Sequence, residues 1–136
     1  VLSRPLSLDE KADVTRSRLQ GALYLSRSDN TVRGMLTILG THGVTFASLY
    51  SLRDFMKTAG FSEESIIAAA SSSATELKLF THTANNFAVS GAAARHGDLG
   101  HQAPHQPMPL KRAAEVLLPA ARRFVDQRIT AHAKTL

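Results

Sequence analysis

Apolar residues recur every three or four positions along most of the chain, the spacing that gathers them on one face of a helix. Leu8, Ala12, Leu19, Ala22 and Leu23 share a face of a first predicted helix, 8–26, which opens on Ser7 and Glu10 at capping-box spacing. Asp29 and Asn30 interrupt the pattern and can cap a short second helix, 31–39, which Gly40 and Gly43 would stop. Thr45 can cap a third, 46–59, whose Phe46, Leu49, Tyr50, Leu52, Phe55 and Met56 form a broad apolar stripe ending at Gly60. The most regular stripe follows. Ile66, Ile67, Ala70, Ala74, Leu77, Phe80, Ala84 and Phe87 predict one long fourth helix over 63–91, opened by Ser62 and placed at the centre of the fold. Within it Ser71, Ser72 and Ser73 read as small residues that let neighbouring helices come close.

The pattern lapses between Gly97 and Pro109, where two Gly, three Pro, two Gln and two His cannot sustain a helix. A last helix, 110–132, then carries Leu110, Ala113, Ala114, Leu117, Ala121, Phe124 and Ile129 on its core face. Pro119 lies inside it and predicts a kink or a break, because proline removes one hydrogen bond of the helical ladder. No segment alternates as a half-buried strand would. The fold class is therefore all-α: a bundle of four to five helices with a long Gly/Pro/His-rich loop before the last one.

Composition narrows this only modestly. With 136 residues, 43% of them hydrophobic, the chain suits a single domain over 1–136, and its start at Val1 suggests processing or excision from a longer protein. It has no cysteine, which excludes disulfides and agrees with a reducing compartment. No apolar run approaches the roughly 20 residues of a membrane span, and no secretory signal pattern opens the chain, so it reads as cytoplasmic with no membrane partner. Charge changes the picture more. The formal net charge is +5, and residues 109–136 alone hold six basic and two acidic side chains. Lys111, Arg112, Arg122, Arg123, Arg128 and Lys134 could attract a phosphate backbone; the blander reading is a solvated helix face with cations near its C-terminal end, where the helix dipole favours them.

Candidate chemistry concentrates in Arg95-His96-Gly97-Asp98-Leu99-Gly100-His101. Of the six histidines, three (His96, His101 and His105) lie within ten residues of Arg95. Histidine titrates nearest physiological pH, and a guanidinium is a permanent cation that can hold a phosphate. The same histidines, with Asp98, also offer nitrogen and oxygen donors to zinc, although their spacing matches no established metal template. A further reading has Arg95 binding the last carbonyls of the preceding helix while the histidines lie solvated. No cofactor motif is present: the chain holds no Gly-rich phosphate loop.

A small helical bundle with an Arg-x(5)-His element leading from one helix toward the last resembles the HEPN superfamily, on Arg95 and His101. The resemblance covers the architecture of about the last 75 residues, from the predicted fourth helix onward. It departs from the common pattern at His96, where members usually carry Asn or Asp, and this opens a second register. The resemblance implies a metal-independent endoribonuclease of a toxin or antiviral defence system, acting on RNA as a homodimer in which two motifs meet. Arg95 would then hold the scissile phosphate, and His101 or His96 would move the proton of the 2′-hydroxyl. The alternative is a non-catalytic helical module that binds nucleic acid or a protein partner.

Overall fold

The computed structural model describes residues 4–86 and 106–135. Six α-helices and no strand occur among the described residues: α1 (Leu8–Leu25), α2 (Asn30–His42), α3 (Phe46–Thr58), α4 (Glu63–Ala69), α5 (Ala74–Ala84) and α6 (Leu110–Ala133). None is long and apolar enough to cross a membrane.

Side-chain caps set most of the starts. Ser7, Asp29, Thr45, Ser62 and Ser73 each accept a hydrogen bond from the backbone N–H three residues on, satisfying one of the orphan donors of the first turn. The capping box is complete at Thr45, whose partner is Ser48. At α1, Ser7 caps the helix at 3.1 Å while the Glu10 carboxylate takes Arg4 at 2.9 Å.

The expected single helix over 63–91 is two helices within the described residues. α4 ends in a Schellman motif: Ser71 takes a left-handed φ of 50°, its N–H donates to the Ala68 carbonyl, and the Ser72 N–H donates to Ile67. Ser73 then caps α5 through the Glu76 N–H. The serines read as packing residues thus turn the chain instead. α3 ends the same way, with Gly60 at φ 93° and bonds from Gly60 to Lys57 and from Phe61 to Met56.

Nor is this region the centre of the fold. That place belongs to α6, which packs against α1, α3 and α4. Ala113, Val116, Leu117, Ala120, Ala121, Phe124 and Val125 are buried along it, and Phe124 meets Phe61 edge-on at 5.6 Å between ring centroids. The break expected at Pro119 does not occur, since α6 runs through it. Pro119 and Glu115 both face outward, so the Glu115 carbonyl that loses its helical donor can be hydrated. α2 lies close on α3 because Gly34 leaves room for the Phe55 ring; a Cβ there would stand 2.6 Å from Phe55 Cζ.

α1 is used differently from its pattern. Its buried residues are Ala22 and Leu25, and Gly21 approaches Ile129 of α6. Of the face expected in the core only Ala22 is buried: Leu19 and Leu23 are exposed and Leu8 is 84% exposed, so its leucines are turned outward. The anchor is the C-terminal half, where Arg18 pairs with Asp126 at 3.0 Å.

Three substitutions test this arrangement in denaturant melts. Phe80→Ala should cost about 3–5 kcal/mol, because Phe80 is fully buried, whereas Leu8→Ala should stay within about 0.5 kcal/mol. Ser71→Gly should stabilise by about 0.5–1 kcal/mol, since relief of the left-handed penalty exceeds the added freedom of the unfolded chain.

Candidate functional site

Arg95, His96 and His101, and the alternative metal set His96, His101 and His105, lie outside the described residues. So does most of the Gly/Pro/His-rich stretch. The chain is described up to residue 86 and again from residue 106, and both of these segments meet one end of α5. Asn85 is the C-cap of α5 and Asn86 is buried beside it. On the returning side Met108 is buried, and its backbone N–H donates to the Thr83 hydroxyl at 3.0 Å. A buried hydroxyl on the last turn of α5 therefore fixes where the chain re-enters the core, two residues before α6 begins.

The six cations that could attract a phosphate backbone separate into two groups. Arg112 is paired with Glu76 of α5 at 2.7 Å, and Arg128 is paired with Asp29 at 2.9 Å while lying over the Phe124 ring. These two hold helices together. Lys111, Arg122, Arg123 and Lys134 are exposed, and none has an ion pair among the described residues.

Asp29 does two jobs with one carboxylate. Oδ1 accepts the Val32 N–H and caps α2, while Oδ2 accepts Arg128 Nε, tying the α1–α2 turn to α6. Burial pushes this carboxyl upward, but the hydrogen bonds from Arg128 and the Val32 N–H outweigh it and hold the group below the ordinary aspartate range.

A cleft of about 590 Å3 lies between α3, α4 and α5, within the size range of small-molecule sites. Its polar lining is Arg53, Glu63, Lys78, Thr81, His82 and Asn85, over an apolar floor that includes Leu77. The Arg53 side chain is only 12% exposed; it lies over the Tyr50 ring and donates to Glu63 at 2.8 Å and to Asp54 at 3.5 Å. Lys57 also bonds Glu63 at 2.9 Å. That ammonium holds the Glu63 carboxyl below the usual range, against the upward push of partial burial. Two buried polar atoms of the lining have no hydrogen-bond partner, Arg53 Nε and Asn85 Oδ1. Sequence reading missed this site, because its residues come from three helices.

Among the described residues no group of three or more His, Asp or Glu could hold a metal ion. No family model matches the chain, and no curated protein or solved structure is significantly similar to it.

The Asp29 arrangement has a pH signature. A carboxylate with a depressed folded pKa contributes stability that is present above its unfolded pKa and lost as pH falls through the folded value. Urea melts should therefore show wild type losing more stability than Asp29→Asn between about pH 5 and pH 2, because asparagine keeps the cap but does not titrate. Equal losses would remove the ion pair from the account.

Proposed function

We propose that the chain is an RNA-binding helical domain of the HEPN type, in which Arg95 with His101, or with His96 in the other register, carries metal-independent cleavage as a homodimer. The observation that supports this reading most is the Met108–Thr83 bond, which brings the chain back to the end of α5 from which it left at Asn86. Both ends of the segment bearing Arg95 and the histidines are thereby held on one polar corner of the bundle. α6 starts from that corner, with Lys111 exposed in its first turn and Arg122 and Arg123 exposed farther along.

The chemistry asked of the motif is small. An arginine neutralises charge on the scissile phosphate, and a histidine moves the proton of the attacking 2′-hydroxyl, with no metal in the step. A second reading, a non-catalytic module with a protein partner, is favoured by the internal pairing of Arg112 and Arg128 and by the outward leucines of α1.

Arg95→Ala should abolish RNA cleavage in a gel assay and leave the melting temperature nearly unchanged, since it removes a catalytic cation and little packing. Cleavage by wild type should survive EDTA and follow a bell-shaped pH profile. Loss under EDTA would favour zinc held by His96, His101 and His105, and no cleavage of any RNA by the purified dimer would leave the non-catalytic module. RNA affinity should fall steeply with salt. Arg122→Ala and Arg123→Ala should each flatten that slope by about one unit per lost phosphate contact, whereas Arg128→Ala should act on stability.

A further inference from the structure

The cleft between α3, α4 and α5 contains two groups that the fold leaves unsatisfied. Arg53 uses its terminal nitrogens on Glu63 and Asp54, so its Nε–H is a buried donor without an acceptor, and Asn85 Oδ1 is a buried acceptor without a donor. Native proteins rarely leave buried polar atoms unpaired, and two that line one cleft call for a common partner. That partner must present an acceptor and a donor on one edge.

The surroundings add two requirements. Ala74 and Leu77 provide an apolar surface in the same cleft, suited to the face of a flat ring. Lys78 and His82 follow one another at i and i+4 on α5, both exposed at the mouth, where they can take an anion. Among the described residues Glu63 is the one carboxylate in the lining, and it is already balanced by Lys57 and Arg53. A polar heterocycle carrying a phosphate meets all three demands: its edge on Arg53 and Asn85, its face on Leu77, its phosphate on Lys78 and His82.

We propose that this cleft binds a nucleoside phosphate, with the base edge inside and the phosphate at the mouth. The site uses none of Arg95, His96 or His101, so it stands or falls apart from the cleavage reading. The ligand is either a free mononucleotide or one unit of a single-stranded RNA, and the two are separable by measurement.

Calorimetric titration of the full chain with the four nucleoside 5′-monophosphates, their nucleosides, inorganic phosphate and a uridine tetranucleotide tests the assignment. At least one monophosphate should bind, and about tenfold or more tighter than both its own nucleoside and inorganic phosphate. The double variant Lys78→Gln/His82→Gln should bring it down to the nucleoside's affinity. Asn85→Leu should weaken nucleotide and nucleoside alike by about tenfold, with an unchanged melting temperature as the check on folding. Arg95→Ala should change neither. A tetranucleotide that binds tighter than its monophosphate identifies a strand as the ligand, and equal or weaker binding identifies the free nucleotide. The assignment is overturned if no monophosphate binds, if inorganic phosphate binds as well as the nucleotides do, or if Asn85→Leu binds like wild type.

Discussion

Everything in this fold leans on α6. It is the longest helix, and one side of it forms the wall against which α1, α3 and α4 are laid. Such a helix has to be continuous, yet it contains Pro119. The conflict is resolved by rotation. At about 100° per residue, Pro119 and Glu115 fall on the side opposite Leu117, Ala120 and Phe124, so the one carbonyl without a helical donor faces water and the packed face loses nothing. A proline on the inner face would leave that carbonyl buried and unpaired. The ion pairs from outside α6 then fix its neighbours: Arg18 on Asp126, Glu76 on Arg112, and Asp29 on Arg128.

What the sequence reveals of this fold is its local punctuation. Ser7, Asp29, Thr45 and Ser62 open helices because an oxygen one or two bonds from Cβ reaches a first-turn N–H whatever the tertiary surroundings. Gly60 is legible as a stop because glycine is the ordinary occupant of a left-handed C′ position. Ser71 holds the same position in the same motif and is not legible, since serine pays no visible tribute to that geometry and the apolar spacing continues across the turn. The period of a stripe also says that a helix is amphipathic without saying what covers it. In α1 the core takes Ala22, at the edge of the expected stripe, and Leu25 beyond it, while Leu8, Leu19 and Leu23 face outward, and Gly21 meets Ile129 on the packed side.

The candidate sites divide along the same line. Arg95, His96 and His101 stand out because chemically loaded residues are neighbours in sequence. The α3–α4–α5 cleft does not, because Arg53, Glu63 and Asn85 become neighbours only after the Ser71 turn folds α5 back from α4. Had 63–91 been one straight helix, Glu63 and Asn85 would stand about 33 Å apart at 1.5 Å per residue, and no cleft could hold both. The break the pattern concealed is therefore what makes the cleft.

The same reasoning assigns work to the basic residues of α6, which composition alone treats as one group. Arg112 and Arg128 are half-exposed and each meets a carboxylate of another helix, so their charge is compensated within the molecule. Lys111 and Arg122 fall on the outward side with Pro119 and Glu115, and Arg123 lies at its margin. Among the described residues these three cations and Lys134 beyond the helix have no ion pair, and Glu115 interrupts them, so on the proposed reading a polyanion would meet separated charges and not a continuous basic stripe. Such a surface can guide a phosphate backbone but reads no sequence from it. On the proposed RNA-binding reading, selectivity would have to come from groups that desolvate a base or grip one phosphate, and the polar corner of α5 offers such groups, where the cleft residues His82 and Asn85 stand beside the Thr83 hydroxyl that fixes the returning chain.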